Sequence, residues 1–259
     1  MRFGQDVAVV GLMIRCQVLW LLGYPDAALA DAERALKKAR EIGHAATLLY
    51  ALSYIPRPTL GNYTTAKALA DEGGKLASEK GALFWRALGV LNQGSISART
   101  GKASEAVQVL TNGLAASRQA GSILHEAEYL ALLARAYAEF GQFDDAWRCV
   151  DGALAAMETT KEKSSEAEVN RIAGEISLKS PEPDAAKAES YFAHALAVAR
   201  EQQAKSWELR AAMSMARLWR DQGKRQQAHD LLALVYDWLT EGFDTLDLKE
   251  AKALLDQLA

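Results

Sequence analysis

EAEYLALLARAYAEF at residues 126–140, followed by GQFDDAWRCVDGALAAM at 141–157, is the stretch on which the fold reading turns. Tyr129, Leu130, Leu133, Ala134 and Tyr137 recur at helical spacing in its first half. Gly141 then ends that helix, because glycine adopts the left-handed C-cap conformation without a Cβ penalty. Asp144 or Asp145 is expected to cap a second helix, with Ala146, Val150, Ala153 and Leu154 on one stripe. The unit reads helix, tight turn, helix, and its small residues have a mechanical purpose. Two antiparallel helices joined by a short turn cross closely only where one of them lacks bulk.

The same unit recurs along the chain. Ala146 is one of six phase-locked alanines, Ala28, Ala66, Ala106, Ala146, Ala188 and Ala228, spaced 38, 40, 40, 42 and 40 residues apart. Five residues before all but one of them stands a glycine: Gly23, Gly61, Gly101, Gly141 and Gly223. Seven residues before each of these turns the residue is mostly small, Cys16, Gly94, Ala134 and Ala216, with Tyr54 the exception; the fifth copy keeps Gly174 and expands its turn with SPEPDA at 180–185. Self-similarity at such a period means one stacked supersecondary unit. The chain therefore reads as a single all-α array with repeats at about 5–43, 44–81, 82–121, 122–162, 163–203 and 204–241, closed by a capping helix over 244–258. The first helix is apolar almost all round and no polar cap is evident before it, so the start reads like the interior of a longer array.

Composition narrows the function classes. The 259 residues carry a net charge of −3, with 50% hydrophobic and 24% charged residues. That balance suits a folded domain and argues against a nucleic-acid surface, which needs a dense basic patch. Cys16 and Cys149 form neither a disulfide framework nor a metal knuckle. The apolar run VAVVGLMI at 7–14 is too short and too broken beyond Arg15 to span a bilayer. A cytoplasmic protein without membrane contact is expected.

The order of small residue, turn glycine and alanine resembles the tetratricopeptide repeat, with a period near 40 in place of the usual 34. Three longer stretches extend the likeness: LWLLGYPDAAL (19–29), QQAKSWELRAAMSMARLWRDQGKRQQAHDLL (202–232) and EGFDTLDLKEAKALL (241–255). They resemble the C-terminal tetratricopeptide region of a bacterial family that joins a class III adenylate or guanylate cyclase domain to a predicted STAND-type ATPase. The likeness runs from about residue 3 to the C-terminus and is weakest over 53–80. It implies a right-handed α-α superhelix serving as a non-catalytic scaffold or sensor in bacterial signalling, binding a protein, a peptide or an anionic small effector. The alternative is the effector-sensing domain of an ATP-dependent transcriptional activator.

No catalytic, cofactor or metal set emerges from the residues. Gly101-Lys102-Ala103 lacks the first glycine and the hydroxyl of a phosphate loop. His44, His125, His194 and His229 lie in different repeats without ligand spacing. The column after each small slot, Gln17, Ile55, Ser95, Arg135, Glu175 and Arg217, is expected to face a concave groove. Glu128, Glu168, Arg171, Arg210 and Arg220 join it toward the C-terminus, and Val10, Met13, Trp20, Leu48, Leu88 and Leu91 toward the N-terminus. The candidate partner site is thus Arg135, Arg171, Glu175, Arg210, Arg217 and Arg220, suited to carboxylate or phosphate ligands; the competing reading pairs Arg171 with Glu175 along one helix and Arg217 across to Glu175. Val10, Met13 and Trp20 are candidates for self-association through the uncapped first helix, giving a homodimer.

Overall fold

The computed structural model describes residues 4–54 and 62–259. Ile55 and Gly61, two positions of the repeat pattern, lie outside the described residues. Among the described residues every regular element is α-helical: α1 (Val7–Leu21), α2 (Pro25–Ile42), α3 (Ala45–Tyr54), α4 (Tyr63–Glu79), α5 (Leu83–Arg99), α6 (Ala103–Gln119), α7 (Glu126–Glu139), α8 (Phe143–Thr160), α9 (Glu166–Lys179), α10 (Ala185–Glu201), α11 (Lys205–Asp221), α12 (Arg225–Tyr236) and α13 (Leu246–Leu258).

The six phase-locked alanines are all 0% exposed. Their burial follows from how closely the helices cross. A Cβ added to Gly94 on α5 would lie 2.8 Å from Leu110 on α6, and one added to Gly113 on α6 would lie 2.8 Å from Leu91 on α5. In the α9–α10 pair, a Cβ on Gly174 would run into the Phe192 ring. Leu110 and Phe192 each stand four residues after a phase-locked alanine. At that phase the other pairs carry Ala32, Ala70, Val150 and Leu232, all buried, against Cys16, Tyr54, Ala134 and Ala216 in the small slot. Where the slot holds glycine, bulk on the other helix fills it: Gly94 faces Leu110 and Gly174 faces Phe192.

Turn chemistry brings the helices to that crossing. The described turn glycines Gly23, Gly101, Gly141 and Gly223 have φ between +76° and +89°. At Gly141 the next N–H, of Gln142, donates to the Tyr137 carbonyl at 2.9 Å, and past Gly223 Lys224 donates to Trp219 at 2.8 Å. The SPEPDA turn replaces this device: Asp184 N donates to Ser177 O at 3.0 Å and its carboxylate caps α10 through Lys187 N at 2.8 Å. Two expectations are corrected here. Asp144 and Asp145 lie in the first turn of α8 behind a Gln142 N-cap, with Asp145 paired to Arg148. Met157, not the half-exposed Leu154, completes the buried stripe of α8. At the start of α1 the Asp6 carboxylate accepts from Ala8 N and Val9 N at 3.1 and 3.0 Å.

Contacts gather the chain into two compact units, residues up to Trp20 with Tyr24–Leu124, and Leu21–Gly23 with His125–Ala259. In the first, α2 packs on α3, α3 on α4, α4 on α5, α5 on α6, and α3 also on α5. In the second, each helix from α7 to α13 packs on the next, and the odd-numbered helices also touch in succession, α7 on α9, α9 on α11 and α11 on α13. The core of this second unit runs through Ala188, Phe192, Leu209, Met213, Ala216, Ala228 and Leu232 into Leu248, Ala251, Leu254 and Leu258 of α13.

A second series of left-handed residues joins successive pairs: Gly43, Gly81, Gly121, Lys161, Gln203 and Gly242. Lys161 and Gln203 hold φ of 59° and 55° with a side chain present. Left-handed backbone costs a non-glycine residue about 1–2 kcal/mol. Gln203→Gly and Lys161→Gly are therefore expected to raise stability by about 1 kcal/mol each, and Gly121→Ala to lower it by a similar amount, as measured by urea unfolding.

Candidate functional site

The odd helices of the second unit bring the charged column onto one layer. Arg135 on α7, Glu175 on α9 and Arg217 on α11 are all half-buried. Each charge is matched locally. Arg135 Nε donates to Glu139 Oε1 at 3.1 Å, one turn on, and Lys179 reaches the same oxygen at 3.6 Å. Arg217 Nη2 donates to Glu250 Oε2 on α13 at 3.1 Å. Arg220 pairs with its neighbour Asp221 at 2.9 Å and donates to Gln257 Oε1 at 2.9 Å.

Arg171 and Arg210 are corrections to the expected open strip. Arg171 is 6% exposed and Arg210 8%. Arg171 grips Glu168 with two parallel bonds, Nε to Oε2 at 2.7 Å and Nη2 to Oε1 at 2.9 Å. Its Nη1 donates to Glu175 and also to Ser214 Oγ on α11 at 3.3 Å. Ser214 in turn reaches Glu175 Oε1 at 3.3 Å, taking the place expected for Arg217. Arg210 lies 3.6 Å from Glu168, donates to Asp247 of α13 at 2.8 Å and stacks over the Trp207 ring. The physical reason is spacing: Glu168, Arg171 and Glu175 sit at i, i+3 and i+7, so a carboxylate stands one turn either side of the guanidinium. The result is a buried ionic lattice tying α9, α11 and α13 together.

The lattice fixes charge states. Burial opposes the charge of Arg171, but Glu168 and Glu175 outweigh it and hold the guanidinium above its ordinary value. Burial alone would raise Glu175, yet Arg171 and then Arg135 keep its carboxyl below the usual range. For Arg210, burial is likewise overcome by Asp247 and Glu168. Sequence reasoning passed over Glu139, Glu208, Ser214 and Asp247. Glu208 was legible, because Glu128, Glu168 and Glu208 recur forty residues apart. It is 4% exposed and accepts from Arg200 at 2.8 Å and Lys205 at 2.7 Å. Asp247, on the terminal helix, falls outside the forty-residue spacing of that series.

In the first unit three residues of the expected apolar groove, Met13, Leu88 and Leu91, belong to the core, while Val10, Trp20 and Leu48 are half-buried. Met13 is 0% exposed, Leu91 2% and Leu88 6%, and Leu91 faces Gly113 on α6. Met13 is therefore withdrawn as a self-association residue; Val10 and Trp20 are half-buried. Cys16 fills its small slot at 0% exposure, and burial, with the nearby Asp31, pushes its thiol up to about 12, which leaves it inert. Asp31, 2% exposed, accepts from Arg15 Nε at 2.5 Å and Nη2 at 2.6 Å, and this bonding holds its carboxyl below the usual range.

His125 pairs with Glu162 at 2.6 Å, and His194 and His229 lie against Glu166 and Asp230. Among the described residues no three His, Cys, Asp or Glu side chains are grouped to hold a metal ion, and no helix is long and apolar enough to cross a membrane. No protein-family model matches the chain, and no curated protein shows significant sequence similarity to it.

Removing one member of a buried ionic lattice strands the others. Arg171→Met is expected to cost about 3–5 kcal/mol, read from urea unfolding, because Glu168 and Glu175 lose their partner. Glu175 supplies a pH signature. Its stabilising contribution is complete above the ordinary glutamate value of 4.5 and is lost as pH falls through its lower folded value. The urea midpoint of the wild type should fall on acidification below that range, and by less in Glu175→Gln.

Proposed function

We propose that this chain is a non-catalytic tetratricopeptide-type superhelix of six long helix-turn-helix repeats, acting as a scaffold or sensor in a bacterial signalling system. By resemblance it is the C-terminal regulatory part of a cyclase–ATPase protein. The observation that carries this reading is the succession of odd-to-odd contacts from α7 to α13, with Arg135, Glu175 and Arg217 at one phase of that layer. A layer in which alternate helices touch directly belongs to the inner side of a curved stack, and stacked repeats use that side to bind.

The buried part of the layer sets its shape, and the exposed part takes the partner. Arg217 and Glu250 are 40% and 46% exposed in their side chains, so their ion pair is open to exchange with an incoming carboxylate. Arg220 extends the same edge. An extended acidic segment of a partner protein would trade places with Glu250 and Gln257 along it.

Fluorescence anisotropy with a labelled oligoglutamate peptide at low salt tests the reading. Wild-type chain should bind it, and Arg217→Ala with Arg220→Ala should weaken binding about tenfold, the effect of one charged hydrogen bond. Both variants should keep the wild-type melting temperature, and Arg148→Ala on α8 should leave binding unchanged. Equal loss in the α8 control would contradict a site on the odd layer. ATP or GTP turnover that tracks with the purified protein would contradict a non-catalytic role.

A further inference from the structure

Arginines on the odd layer find their oxygens in two ways. Arg135 and Arg171 draw carboxylates from their own helices, Glu139 on α7 and Glu168 and Glu175 on α9. On α11, Arg210, Arg217 and Arg220 reach across to α13, to Asp247, Glu250 and Gln257. Beside those polar contacts, Leu248, Ala251, Leu254 and Leu258 of α13 enter the core of the unit. The helix thus brings α11 two rows at once, side-chain oxygens at 247, 250 and 257 and apolar groups at 248, 251, 254 and 258. An acidic segment alone would answer the arginines and leave the apolar bed exposed to water.

The attachment of α13 also departs from the rest of the chain. α12 is 12 residues long, where the second helices of the other pairs run 17 or 18. The join that follows it spans nine residues, 237–245, against two to six between the earlier pairs. Nine extended residues reach up to about 30 Å, so α13 can leave α11 with its tether intact. We infer that α13 is a built-in competitor for the partner of this edge, and that the partner presents an amphipathic acidic helix of the α13 pattern, with carboxylates three residues apart beside a row of leucine-sized side chains. The inference rests on the proposal that the edge at Arg217 and Arg220 receives an acidic partner. It adds the form of that partner and the control of its access: the bed is closed while α13 is docked and opens when a helix of like pattern displaces it.

A synthetic peptide with the sequence of residues 244–259, DTLDLKEAKALLDQLA, is the probe. Labelled for anisotropy, it should bind the full chain weakly, because α13 competes from its tether at an effective concentration on the order of millimolar. Leu254→Ala with Leu258→Ala in the full chain loosens α13 without touching the arginines, and should tighten peptide binding about tenfold or more. Asp247→Asn with Glu250→Gln in the peptide should weaken it about tenfold. The wild-type chain gives a readout that needs no variant. Excess peptide should speed amide hydrogen exchange across residues 246–258 and leave α10 unchanged. A peptide that binds neither chain, that binds both equally, or that binds without altering exchange in α13 overturns the inference. If oligoglutamate still binds through Arg217 and Arg220 in that case, the acidic-edge reading stands without it; loss of both ligands removes that reading as well.

Discussion

The distance between paired helices is the constraint on which the rest depends. At Gly94 and Gly174 the partner side chain already occupies the place a Cβ would take, so the pairs cross with almost no slack. Close packing of this kind forbids independent changes in size on either side. Where glycine stands at the crossing, a large side chain fills the space it leaves, Leu110 against Gly94 and Phe192 against Gly174.

That geometry fixes what each helix can present elsewhere. Once one side of an odd helix is committed to its partner and another to its neighbouring odd helix, a narrow strip remains for polar groups. In the second unit the strip is partly buried, and its charges survive there by pairing. Glu168, Arg171, Glu175, Ser214, Arg210 and Asp247 form an ion-paired lattice across three helices, so they contribute rigidity and register. Only toward Arg217 and Arg220 do the pairs open to solvent, and there recognition is expected.

Much of the fold was legible in the sequence, because close helix crossings repeated along a chain demand small residues at a fixed period. The alanine column, the described turn glycines Gly23, Gly101, Gly141 and Gly223, and Cys16 fell where the periodicity put them. The second turn series was missed at Lys161 and Gln203, since a left-handed residue that is not glycine carries no compositional mark. The site was less legible. A column of charges announces which helix face is polar, but not whether an acid on the next helix will meet it. Glu175 was matched with Arg171 from spacing alone, whereas Asp247 and Glu250 came from the terminal helix, beyond any local pattern. Met13 was misplaced because α1 is apolar on nearly every side, and periodicity then cannot tell core from surface.

The central claim is that volume is shared across the glycine crossings, and a double-mutant cycle at Gly174 and Phe192 tests it most directly. Gly174→Ala pushes a Cβ into the Phe192 ring and should cost about 1–3 kcal/mol by overpacking. Phe192→Leu alone should be destabilising, since it empties part of a side chain that is 1% exposed. Together they should cost less than their sum by about 1 kcal/mol or more, because the trimmed side chain makes room for the added methyl. Additivity within about 0.5 kcal/mol would mean that the two positions do not share one space, and the account of the crossing would be contradicted.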